Sequence, residues 1–359
     1  PGPYRAAQEV FRSVAEKLRP CLVRIETVGG TRPPPAGAID LEDETAPEEG
    51  GRKRAPNPFR DQPGSGFDVA DGPTTGLIYS PDGYIVTSSF NFVRRPLLIT
   101  VTLADGRRLA ADLIARDQVR KIALLKVEAE NLPVPRWRDV RGVDVGEWVV
   151  ALGLGFGGDR PSIHVGILSA HHRMMGNAFQ TDAKLNPANY GGPVCDLDGN
   201  VLGLAVPMAQ RPGELAGIEF YDSGIGFAVP KQRLDEIVSV LKTGRSFYRG
   251  WLGIQMDPEV RDAVVVGRVA DPSPMREAGV GPGDRILSIN GKRIRHFGDL
   301  VRALYMIPAG EEVTVELEND GRRFTVTVLL ARSEDLGPMP EAEEPFDPSA
   351  PMPPPKEKK

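Results

Sequence analysis

Cysteine is nearly absent: the 359 residues hold two, Cys21 and Cys195. At most one bridge can form, so no disulfide framework holds the fold, and the redox compartment stays open. No apolar run approaches the ~18 residues of a membrane span. The chain starts at Pro1 with neither a basic nor an apolar leader stretch, so no signal peptide is expected. Neither sign of charge dominates. The 44 basic and 49 acidic residues leave a net charge of −5, which excludes an overall basic nucleic-acid binder. Histidine is scarce, at positions 164, 171, 172 and 296 only.

Glycine and proline are abundant, at 40 and 34 residues. Much of the proline falls in a few segments, and the length suits two domains. Residues 4–18 place Val10, Phe11, Val14 and Leu18 at helical spacing, with Pro20 ending the helix and a strand over 21–28. A long Pro- and acid-rich loop is expected over 29–75, with a solvated GRKR run at 51–54. From 76 to 229, short apolar runs alternate with PDG, ADG and DLDG turns, the pattern of an all-β barrel or sandwich. An amphipathic helix over 230–244 stops at Gly244. Residues 249–331 read as strands with one helix at 298–306, and the tail 332–359 reads as disordered.

Four segments then carry a resemblance. GLIYSPDGYIVTSSF, IALLKV, QTDAKLNPANYGGPV and GIGFAVP are similar, in order and spacing over about 74–244, to the trypsin-like domain of the HtrA proteases. The resemblance implies a mainly β, chymotrypsin-like double β-barrel followed by a PDZ-like α/β domain. It implies domains at 1–28 (helix and first strand), 29–75 (loop), 76–244 (the rest of the trypsin-like domain), 245–331 (PDZ) and 332–359 (tail).

A trypsin-like site needs a serine nucleophile, a histidine base and an orienting aspartate. The resemblance puts Phe90 at the histidine position, Lys121 at the aspartate position and Tyr190 at the serine position. Ala188 replaces a glycine of the oxyanion loop. Phenylalanine accepts no proton, and lysine cannot orient an imidazole as a carboxylate does. The expectation is therefore a catalytically inactive protein, not an enzyme, that acts as a peptide- or protein-binding scaffold or regulatory subunit through its PDZ domain, with two aromatic rings filling the former cleft. The alternative is a serine endopeptidase acting in protein quality control, like the family.

In the second unit, Trp251-Leu252-Gly253-Ile254 resembles the carboxylate-binding loop of PDZ domains, and 279–291 resembles their G-x-x-P-G-D-x-I-x-x-I-N-G segment. This implies capture of peptides or protein C-termini by backbone amides and strand addition. An apolar last side chain would enter a cup of Leu252, Ile254, Met256, Ala303 and Met306, with Asp299 facing the third-last position. No cofactor is expected. No metal is expected either, because neighbouring residues such as His171 and His172 on an extended chain point to opposite faces. Cys195 reads as a buried structural thiol, and a Cys21–Cys195 bridge needs Cα atoms within about 7 Å. The resemblance also implies a bacterial extracytoplasmic location. Tyr4 and Phe11 serve either trimer assembly, with itself or with an active relative, or packing of the helix on its own barrel.

Overall fold

In the computed structural model, which describes residues 2–28, 73–92, 96–158, 160–208, 224–305, 307–332, 335–337 and 339, the chain divides into two units, 1–247 and 248–359. Of the loop expected over 29–75, residues 29–72 with the GRKR run lie outside the described residues, as does nearly all of the tail, and the next strand already begins at Thr74.

Helix α1 (Pro3–Leu18) opens with proline in its first turn, where the missing N–H is no loss. The first barrel holds β1 (Leu22–Val28), β2 (Thr74–Ile78), β3 (Tyr84–Ser88), β4 (Leu98–Thr102), β5 (Arg108–Asp117) and β6 (Ile122–Val127). Its closed order is β1-β2-β3-β6-β5-β4. The second holds β7 (Trp148–Gly153), β8 (Ser162–Arg173), β9 (Ala178–Thr181), β10 (Pro193–Cys195), β11 (Val201–Val206) and β12 (Gly226–Pro230), closing as β10-β11-β12-β9-β8-β7. Helix α2 (Lys231–Leu241) follows.

Side-chain alternation along each strand explains the cores. Ala123, Leu125 and Val127 of β6 join Val23, Ile25, Ile85 and Val101 in the first barrel. Val149, Ala151, Val194, Leu202 and Ala228 fill the second. The intervening positions, Leu22, Leu124, Val150, Leu152, Leu204 and Val229, form a third cluster with Val14 and Leu18 of α1 and Leu234 and Ile237 of α2. A strand buried on both faces loses its polar alternation, which is why β6 reads IALLKV.

The ring of Phe11 stacks on Trp148 at 5.5 Å, so α1 packs on its own barrel, while Tyr4 stays 86% exposed. Cys21 ends a short turn just before β1. Both cysteines are free and buried, so the bridge does not form. Burial pushes the Cys21 thiol up to about 11 and Cys195 upward too, and Cys195 donates to the Val150 carbonyl at 3.1 Å. A thiol reagent at pH 8 is expected to find no cysteine in the native chain and two after denaturation without reductant. A reactive native thiol, or fewer than two after denaturation, would contradict this.

The second unit contains β13 (Ile254–Met256), β14 (Val266–Val269), α3 (Pro274–Glu277), β15 (Arg285–Ile289), β16 (Lys292–Arg293), α4 (Phe297–Leu304), β17 (Glu312–Asn319) and β18 (Arg322–Leu329). Strands β13 and β14 pair with each other, and the remaining four form a sheet in the order β16-β15-β17-β18. Its own core gathers Leu252, Val266, Met275, Ile286, Ile289, Leu300 and Val315.

Candidate functional site

Two sites are built into these units. The first lies where the barrels meet. A three-residue turn after β3 carries Phe90, and the loop between β9 and β10 carries Tyr190. Their rings meet edge to face with centroids 5.6 Å apart, a favoured aromatic geometry. Tyr190 is only 4% exposed and Phe90 is half-buried. Behind Tyr190, a recess lined by Leu185, Val206, Met208 and Phe227 retains about 10 Å³, room for one water at most. Lys121 sits just before β6 with φ 59, and its carbonyl accepts from the Ser89 amide at 2.9 Å and from Ser88 Oγ at 3.1 Å. Burial pushes the Lys121 ammonium below its ordinary value, with Asp117 pulling the other way.

The loop before Tyr190 closes on itself. The amides of Asn189 and Tyr190 donate to the Asn186 carbonyl at 3.0 and 3.1 Å, and the Ala188 amide donates to Asn186 Oδ1 at 2.9 Å. Ala188 is not among the residues with positive φ, so its Cβ meets no penalty in this closed turn. Gly191 does need to be glycine: its φ is +87, and a Cβ there would lie 2.4 Å from the Thr75 carbonyl oxygen.

A buried polar network, missed by the sequence reading, ties the loop to the first barrel. Thr75 Oγ1 donates to the Ala188 carbonyl at 2.8 Å and accepts from the Leu154 amide at 2.7 Å. Thr87 Oγ1 donates to the Thr75 carbonyl at 2.6 Å, and Asn91 Nδ2 donates to Thr87 Oγ1 at 3.1 Å. These partners are up to 113 residues apart in the chain, so no local pattern announces them.

The second site is the loop before β13. Gly253 adopts φ 77, where an added Cβ would sit 2.3 Å from that of Ser273. The Leu252 carbonyl accepts from Met275 N at 3.3 Å and the Gly253 carbonyl from Ala270 N at 2.8 Å, so both oxygens are tied back into the fold. Trp251 exchanges two backbone hydrogen bonds with Ala331, at 2.8 and 3.1 Å. Leu252 and Ala303 are buried in one apolar cluster, with Ile254 and Met256 packed against it. Met306 lies outside the described residues. Leu300 and Leu304 belong to the same cluster, and their i, i+4 spacing on α4 was the available signal. Asp299 lies in the first turn of α4. Its carboxylate accepts from the amide of Arg295, just ahead of the helix, at 3.1 Å and lies 3.6 Å from His296 Nε2. That amide, together with the neighbouring His296 and Arg302, holds the carboxyl below its usual range.

The profile of trypsin-like peptidase domains matches residues 74–204, and that of PDZ domains matches 250–330. A probable periplasmic serine endoprotease, DegP-like, from Marinomonas sp. is 31% identical over 366 residues, spanning 92% of this chain and 73% of that protein. A protein of the same description from Pseudomonas fluorescens is 33% identical over 288 residues, 75% of this chain and 59% of the other. The chain spans about three fifths of the length of most such relatives. In fold, it is similar to a serine endoprotease from Yersinia pestis, with TM-score 0.62, 24% identity, 90% of this chain and 97% of that one. It is also similar to the HtrA-type protease AlgW with a decapeptide, with TM-score 0.60, 23% identity, 92% of this chain and 99% of that one. These relatives correct the expectation that the chain is not an enzyme: proteins matching it across both units are named serine endoproteases. That expectation rested on three side chains, and these state what those groups cannot do, not what the whole chain does.

Proposed function

Because the chain belongs to the DegP-like family of periplasmic serine endoproteases, we propose that it handles polypeptides in the bacterial periplasm, within the proteolytic quality control its relatives are named for. In this reading the PDZ unit captures a C-terminus through the Leu252–Ile254 backbone, with Leu252, Ile254, Met256 and Ala303 cupping an apolar last residue. The barrel unit then receives the captured chain. The observation that carries the proposal is the match over both units, in one order, at 31% identity across 92% of the chain. An unfolded substrate such as reduced casein tests it. Capture of casein by the full chain is the expected result, and no capture would overturn the reading. Fragment release, read on the same samples, assigns the cutting step to this chain or to a relative working beside it.

We further propose that Phe90, Lys121 and Tyr190 occupy the three positions of the family's triad. The Tyr190 phenol is enclosed by Phe90 and the apolar recess behind it, and no imidazole stands at the matched position. Tyr190→Phe is therefore expected to leave the rate of fragment release within about twofold of the parent chain. Loss of release in that variant would make the phenol the nucleophile and defeat the assignment.

A further inference from the structure

The His171-His172 pair is unused by either site, and its geometry differs from that of an extended strand. Between Ala170, which pairs with Gln180, and Arg173, which pairs with Ala178, the register of β8 on β9 shifts. Both histidines fall in this irregularity, a feature that re-aims side chains. His172 has φ 53, and Met174, Met175 and Gly176 follow at φ 50, 56 and 84. Three non-glycine residues in the left-handed region within four positions are costly, and such a turn persists where its surroundings hold it. Asn177, only 2% exposed, holds it from inside: Nδ2 donates to the Met174 carbonyl at 2.9 Å, and Oδ1 accepts from Arg120 Nε at 3.2 Å.

The consequence is that the two imidazoles lie near one another, with ring centroids 6.0 Å apart. At a metal–nitrogen distance of about 2.0 Å, two imidazoles on one ion have centres about 5 Å apart at a tetrahedral angle and about 6.3 Å apart in line. The observed separation lies between these, nearer the linear limit. His171 Nε2 lies 3.0 Å from the Val143 carbonyl oxygen. A carbonyl only accepts, so Nε2 carries the proton and the Nδ1 lone pair is left for a ligand, with the backbone orienting the ring as it does for many metal-bound histidines.

We propose that this turn binds one monovalent copper ion between the two imidazoles. A filled-shell monovalent ion accepts two ligands in a line, and imidazole donors suit copper where hard cations prefer oxygen. Zinc needs about four ligands. Among the described residues no cluster of three or more His, Cys, Asp or Glu is placed to hold an ion.

The test is an anaerobic Cu(I) titration of the full chain against a chromogenic chelator, in a Cys21→Ser/Cys195→Ser background so that thiols take no metal. One ion per chain is expected, with X-ray absorption showing a two-coordinate nitrogen site. His172→Gly removes the ring and keeps a residue at ease with positive φ. His171→Phe keeps a ring and removes its nitrogens. Each variant should weaken binding by at least about tenfold while melting with the parent chain. Parent-like affinity in both variants, or a four-coordinate spectrum, would overturn the proposal.

Discussion

Amidating the C-terminus of a peptide ligand is expected to lower its affinity for the full chain by roughly tenfold or more. The carbonyls of Leu252 and Gly253 are committed to Met275 and Ala270, so in the proposed reading it is the loop's amides, not its oxygens, that meet a ligand. Positive φ at Gly253 makes that orientation possible. Amides presented in this way favour an anion, and hydrogen bonds to a charged group contribute about 1.5–3 kcal/mol each. Every ~1.4 kcal/mol is a factor of ten in Kd. Fluorescence anisotropy on the acid and amide forms of one peptide with an apolar last residue measures the difference. Gly253→Ala should weaken the acid form toward the amide form, since alanine resists φ 77 and its Cβ strikes Ser273. Equal affinity of the two forms would remove carboxylate recognition and leave this unit as an assembly module.

Asp117→Ala is expected to have the largest effect on stability. The Asp117 side chain is 1% exposed and pairs with Arg120, itself 10% exposed. Asp117 Oδ1 also accepts from the amides of Val119 and Arg120, at 3.0 and 2.8 Å. The Arg120 guanidinium reaches Asn177 and lies 5.1 Å from the ring centre of Phe247. Removing the carboxylate takes from Arg120 its buried counter-charge, and breaking such a pair costs about 3–5 kcal/mol. For a unit of this size that corresponds to a fall in Tm of about 6–20 °C. Asp117→Leu combined with Arg120→Met should recover most of the loss, because no charge is then left unpaired. A single variant melting with the parent chain in a calorimeter would show that Arg120 finds another partner.

Much of the fold was legible because turn chemistry and two-residue alternation are local. PDG at 81–83 and DLDG at 196–199 punctuate strands whose apolar faces then dictate their burial. The helix read at 298–306 forms as Phe297–Leu304, and that read at 230–244 as Lys231–Leu241. The candidate site was legible only as residue identities. The placing of Phe90, Lys121 and Tyr190 at the triad positions comes from the family resemblance and is proposed here, whereas the closure of residues 186–190 and the Thr75–Thr87–Asn91 network depends on pairing across the barrels. Asp299 was legible as a position on a helix, whereas the bond its carboxylate takes from the Arg295 amide was not. His171 and His172 were set aside on strand alternation, a rule that a single left-handed residue suspends.

The two helices of the barrel unit both involve the second barrel. Helix α1 comes immediately before β1 of the first barrel yet lies on β7 and β8 of the second, and α2, which leaves the second barrel, packs on its β11 and β12 and also on β5 of the first. The first helix is thus fastened to the barrel that lies further from it along the chain, and the second bridges the two. As the chain emerges from the ribosome, the N-terminal helix has no surface to dock on until residues near 173 have appeared, and the first barrel lacks its last cover until residue 241. Until those residues have appeared, the apolar faces of α1 and of the first barrel lack their native cover and are available to chaperones or to other nascent chains.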